Sequence, residues 1–344
     1  MNSPNPGSPA VTFPDGSAAN LILLGETIPL TETMTEAWWP TAISPNVRSK
    51  MMRRFAREGY VLPIVTSICI ALLAEIYTTT AVLASNSSDG EVKRRMRLGY
   101  SSSPLSDFGI AKGSADVKCQ DQFAYLNLLD QTFSKGQDPD DHYWIYFTTV
   151  RGGEVVLDCA MFTFNMCIMV PADVYRSKSL PPFSWAPAFL RDSLMTRQTP
   201  ELESEHKRFT VLHNSELHRA VEHSIRCFRN IDMKTIWAFM ENIAGRKCTQ
   251  LEKDLVITYT QVNCLALSST LKEQKWKNWP KTPSLAIEAD PGEMDDCRDE
   301  AKLEEWSKHL KKWNRKRRHG RTSEETLGDA FRAWQNRTAK LPKY

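Results

Sequence analysis

Glycine is scarce in this chain, with 15 residues in 344. No G-x-x-x-x-G-K-[ST], G-x-G-x-x-G or G-x-S-x-G run occurs, which excludes the standard phosphate-cradling loops and the serine nucleophile elbow. Cysteine is sparse as well. The eight (Cys69, Cys119, Cys159, Cys167, Cys227, Cys248, Cys264 and Cys297) stand singly, and none forms the C-x₂-C pair of a zinc knuckle or redox motif. Several sit among apolar neighbours, as in Ile68-Cys69-Ile70, where a thiol behaves as a small buried hydrophobe suited to a reducing compartment. No H-E-x-x-H run is present, and no basic residue precedes the first apolar stretch, so neither a zinc protease nor a secretory signal is expected. Charge of one sign is lacking too: 44 basic against 41 acidic residues leave +3. The whole chain is therefore no polycation.

What is present is an ordinary globular composition, 41% hydrophobic and 25% charged. Residues 1–35, rich in Ser, Pro and Gly, read as a flexible leader; 36–270 read as a globular body and 271–344 as a charged, Trp-rich helical appendage. Phe123, Leu126, Leu129 and Phe133 fall at helical spacing, and Ser101 to Ser114 carry the Ser, Gly and Pro of a loop. His142 to Val150 is almost all aromatic or β-branched and predicts a strand. Arg151-Gly152-Gly153-Glu154 then turns the chain into a second apolar run from Val155 to Val170. Tyr146, Phe147, Val156, Phe162 and Phe164 of this hairpin are expected in the core. From Pro200 onward the pattern reads as helical. Gly245 stops one helix and Thr249-Gln250-Leu251-Glu252 is a capping box opening the next, whose stripe is Leu255, Val256, Tyr259, Val262 and Ala266. The expected fold is thus α+β and mostly helical, with one central apolar hairpin or small antiparallel sheet.

Val61 to Ala84 is long and apolar enough to consider as a membrane span. Glu75 inside it, Pro63 near its start and basic residues on both flanks favour a buried core helix instead. A membrane-associated protein anchored by 61–84 stays open as an alternative.

Three groups could carry chemistry. His218 and Glu222 share a helix face at i,i+4, which a solvated surface also explains. Asp138, Asp140, Asp141 and His142 form an acidic turn without the spaced ligands of a calcium loop. Asp158 and Cys159 close an apolar strand with no general base nearby in sequence. No catalytic residue can be assigned from these; no metal site and no cofactor is expected, and the balance leans away from an enzyme. An enzyme with its site near the hairpin and the His218/Glu222 helix is the alternative.

One anomaly points outward. Lys311, Lys312, Trp313, Arg315, Lys316, Arg317, Arg318 and Arg321 crowd into eleven residues. Leu303, Trp306, Leu310 and Trp313 make an apolar stripe on the same helix, and lysines and arginines suit a helix C-terminus in any case. The run also fits a nuclear address, or a phosphate-binding surface with a tryptophan beside it. The expectation is a non-enzymatic binding or scaffold protein of the cytoplasm or nucleus. Its partner is nucleic acid or an acidic protein surface, met through 311–321.

Overall fold

The computed structural model describes residues 2–7, 9–27, 51–76 except 53 and 56, 98–115, 122–164, 167–175, 185–199, 202–222, 228–281, 286–288, 300–320, 330, 333, 334 and 337. Among them are fourteen strands in three sheets and six α-helices, so the expectation of a mostly helical chain with one small hairpin is overturned.

The largest sheet is antiparallel and has six strands. Its members are β4 (Gly99–Tyr100), β5 (Ser103–Ala115), β8 (His142–Thr149), β9 (Glu154–Asp158), β12 (Phe189–Asp192) and β13 (Glu203–Thr210). The order is β12-β9-β8-β5-β13, with β4 beside β5. The β8–β9 hairpin therefore supplies the middle of a sheet rather than the whole of it. Gly152 takes φ +76° in its turn, a conformation that favours glycine.

The stretch read as a loop is β5, the strand between β8 and β13. Its glycines are there for closeness. A Cβ on Gly109 would lie 2.1 Å from the Phe209 carbonyl oxygen, and one on Gly113 would lie 2.1 Å from the Ser204 oxygen and 2.7 Å from the Trp144 ring. Glycine in a strand interior commonly marks such an approach of backbone to backbone. Gly113→Ala is accordingly expected to force β13 outward and to lower stability by about 1–3 kcal/mol, as overpacking does. A denaturant midpoint matching the wild type would refute the close approach.

β13 lies where the pattern was read as helical. Its sequence, Glu-Ser-Glu-His-Lys-Arg-Phe-Thr, is that of an edge strand protected by charge.

A second sheet joins β1 (Asn2–Pro6), β2 (Val11–Thr12), β3 (Ala18–Thr27), β6 (Phe123–Asn127) and β7 (Phe133–Lys135), with β3 and β6 parallel and the other pairs antiparallel. Residues 2–27, read as a leader, thus hold three strands. The helix expected over 123–133 is a strand, a turn and a strand. Asn127 Oδ1 accepts from the Leu129 amide at 3.0 Å, and Asp130 Oδ1 accepts from the Thr132 amide at 3.0 Å and its hydroxyl at 2.6 Å. Side chains that close turns locally outcompete the helix. A buried ion pair ties this sheet to the helical turn before it: Arg54 meets Glu58 at 2.9 Å, and Glu58 accepts from the Tyr125 hydroxyl at 2.5 Å and the Gln137 amide at 2.7 Å. A third sheet, β11-β10-β14, joins β10 (Cys167–Pro171), β11 (Trp185–Pro187) and β14 (Ala286–Glu288).

The main core lies on one face of the six-stranded sheet. α1 (Val61–Glu75) is apolar all round and buried among the sheet, α3 (Ser215–Glu222), α4 (Asn230–Ala244) and α5 (Gln250–Lys272). α2 (Ser193–Gln198) caps on Asp192, whose side chain accepts from the Leu194 and Met195 amides. α1 runs 15 residues, and no helix among the described residues is long and apolar enough to cross a membrane. Residues 77–84 of the candidate span lie outside the described residues.

α4 ends at Gly245, φ +73°, and α5 opens on the reciprocal Thr249–Glu252 box. Tyr146 and Val156 of the hairpin are buried and Phe147 is half-buried; the side chains of Phe162 and Phe164 lie outside the description.

Candidate functional site

The second face of the large sheet, opposite α1, carries a buried chain of charge. Strand alternation turns His142, Trp144 and Tyr146 of β8 to this face and Tyr143 and Ile145 to the core. Asp158 ends β9, Arg191 pairs with Val156 in the β12–β9 ladder, and Glu203 begins β13 opposite Ala115. Four strands thus bring four ionisable groups to one end of the sheet.

His142 Nε2 meets Asp158 Oδ2 at 2.5 Å, both side chains fully buried. Asp158 Oδ1 accepts from the Ala160 amide at 2.6 Å and the Met161 amide at 3.1 Å. Arg191 is paired with Glu203, and the ligand atoms of His142, Asp158 and Glu203 lie within 4.8 Å of one another. Burial works against an ionised Asp158, yet the His142 ring, the hydrogen bond to it and the Ala160 amide prevail and hold its carboxyl below the ordinary value. Glu203 goes the other way. Burial and the neighbouring Asp158 push its carboxyl well above the usual range, against the pull of Arg191. The two neighbouring carboxyls are therefore driven in opposite directions, Asp158 toward its ionised form and Glu203 toward its protonated one.

The spacing within this cluster does not suit a metal ion. Ligand atoms sit about 2.0–2.2 Å from a zinc-like ion, and so more than 3 Å from each other. The 2.5 Å separation of His142 and Asp158 leaves no room for an ion between them. The other Asp158 oxygen serves two backbone amides and Glu203 serves Arg191. The geometry is that of a hydrogen-bonded chain of charge. It is also closed to solvent at its centre, where the side chains of His142 and Asp158 are fully buried.

The other sequence candidates resolve simply. His218 Nε2 lies 2.6 Å from the Leu212 carbonyl and Glu222 is exposed, so the pair does not converge. α3 packs with the core on the α1 side of the sheet, whereas His142 and Asp158 lie on the opposite face, so the hairpin and the His218 helix form no common site. Asp141 meets Lys112 and the Tyr143 hydroxyl, each at 2.6 Å, and Asp138 accepts from the Asp140 amide at 3.0 Å, which accounts for the acidic turn. Burial pushes the Cys159 thiol up to about 12, with Asp158 adding to it, which makes a poor nucleophile.

The basic run forms the end of α6 (Glu300–Arg318). At about 100° per residue, Lys308, Lys311, Lys312, Arg315, Lys316 and Arg318 fall within one arc of about 160°. All six are exposed. Trp306, Leu310 and Trp313 fall on the opposite side and share an apolar cluster with Ala330 and Trp334. Trp313 is 3% exposed, and the Arg317 guanidinium lies over its ring at 5.3 Å. Arg321 lies outside the described residues. Comparison with known protein families, curated proteins and solved structures returns no match.

Arg191 and Glu203 were missed from the sequence. A lone arginine inside Phe189-Leu190-Arg191 was the available signal, since a charge on an apolar strand needs a buried partner.

Proposed function

We propose that this is a non-enzymatic binding protein that holds nucleic acid on the cationic face of α6. The observation that carries the reading is the division of that helix, with its tryptophans anchored in the apolar cluster and its cations from Lys308 to Arg318, Arg317 excepted, on the opposite side. Between Glu300 and Arg318 there are eight basic residues against three acidic. Lys308 is paired with Glu304 at 2.8 Å, which leaves the arc from Lys311 to Arg318 as the phosphate-facing part. Duplex DNA presents a charge about every 1.7 Å of its axis, so several phosphates lie within reach of even a short helix. Phosphate contacts of this kind position a protein without reading sequence. Such a partner is met in the cytoplasm or the nucleus, and the same run could serve as an import address.

Because one helix face contacts only part of a duplex, about three to five phosphate contacts are expected. Log affinity should then fall with log salt at a slope of about −3 to −4.5. Replacing Lys311, Lys312, Arg315 and Lys316 with Ala should remove most of that slope and leave the thermal midpoint in place, since all four are exposed. Titration of labelled duplex across a salt series measures both. No retention on DNA or RNA at low salt, or an unchanged slope in the variant, would refute the reading and leave an acidic protein surface as the partner.

A further inference from the structure

α5 turns its more apolar stripe to solvent. Leu251, Leu255, Tyr259, Val262 and Leu265 fall within about 120° of one another on the helix. Four of them, Leu251, Tyr259, Val262 and Leu265, are 38–51% exposed. The face packed on the core is mixed: Val256, Thr260 and Cys264 are buried, Ile257 and Leu267 pack against the core, and Asn263 Nδ2 donates to Ser67 Oγ at 3.1 Å. Single exposed hydrophobes are ordinary on a protein surface, whereas a contiguous row of them marks an interaction surface.

We propose that this stripe pairs with the same stripe of a second copy, the two α5 helices running antiparallel about a two-fold axis level with Asn263. Charge sets the direction. Asp254 and Lys272 are both exposed, share one flank of the stripe, and stand nine residues before and nine after Asn263. An antiparallel pair therefore brings Asp254 of each copy level with Lys272 of the other. Size agrees with charge. Tyr259 stands four residues before the axis and Ala266 three after it, so the ring of one copy faces the methyl of the other, and Val262 meets itself near the axis. A parallel pair would hold Asp254 and Lys272 of opposite copies about 27 Å apart along the helix, at about 1.5 Å per residue, and lose the charge pairing. A two-fold contact in which one patch recognises itself is also the commonest closed assembly.

The full chain is expected to dimerise with rising concentration in sedimentation over about 1–100 µM. Val262→Asp should weaken association at least about 100-fold, because two carboxylates would then meet at the axis. Asp254→Lys or Lys272→Asp alone should weaken it about 5- to 10-fold, and the double exchange should restore it. Val262 is exposed, so circular dichroism of that variant should match the wild type. A monomer at every concentration, or a dimer indifferent to Val262→Asp, overturns the proposal. A dimer that survives the single charge exchanges overturns its antiparallel orientation.

Discussion

Asp158→Asn is expected to lower stability by about 3 kcal/mol, because a buried carboxylate that accepts from His142 and two backbone amides gives way to an amide with a single acceptor oxygen. His142 is fully buried against that carboxylate, and the Ala160 and Met161 amides depend on it. Glu203→Gln should cost much less, under about 1.5 kcal/mol at neutral pH. A glutamine keeps the shape of a carboxyl that burial and Asp158 already drive toward its protonated form, and its amide can donate to Asp158.

The two carboxyls also give opposite pH dependences. Asp158 has its folded value depressed, so its contribution is present above the unfolded value of about 3.9 and is lost as pH falls through the folded value. Glu203 has its folded value raised, so its contribution is complete below about 4.3 and is lost as pH rises through the folded value. Glu203→Gln should therefore remove the alkaline erosion and leave the acid limb. Urea midpoints from about pH 2 to 9 measure both limbs. Equal losses for the two variants, with the same pH dependence, would refute the opposed shifts of the two carboxyls.

Phe108→Ala should cost about 3–5 kcal/mol, as expected for a large aromatic removed from a closed core. Phe108 is fully buried between the sheet and the α1 layer, with its ring stacked on Phe147 at 6.2 Å between centroids. Leu129→Ala makes the informative contrast. In a helix over 123–133 Leu129 would belong to the packed stripe, and its loss would cost about 2–5 kcal/mol. At 65% exposure in the turn between β6 and β7, it should change stability by no more than about 0.5 kcal/mol. Chemical denaturation of the two variants beside the wild type decides between the architectures. A large loss at Leu129 with a small one at Phe108 would overturn the sheet described here.

Features made by neighbours in the chain were legible in the sequence. The Thr249–Glu252 box, the stop at Gly245, the turn at Gly152 and the two-faced character of α6 each depend on residues within a few positions of one another. Backbone geometry alone brings those groups together, so their pattern survives any packing. Everything that required distant segments to meet was decided by the tertiary structure. Gly109 and Gly113 look like loop residues until β13 crosses within van der Waals reach of them. Phe123 to Phe133 kept a helical period, yet pairing with β3 and the Asn127 and Asp130 turn contacts took precedence. His142, Asp158, Arg191 and Glu203 come from four strands, and their chemistry exists only where those strands lie side by side. The stripe on α5 makes the same point in reverse. Periodicity found a helix with an apolar face, but packing against α1 and its neighbours buried the other, mixed face and left the apolar one outside.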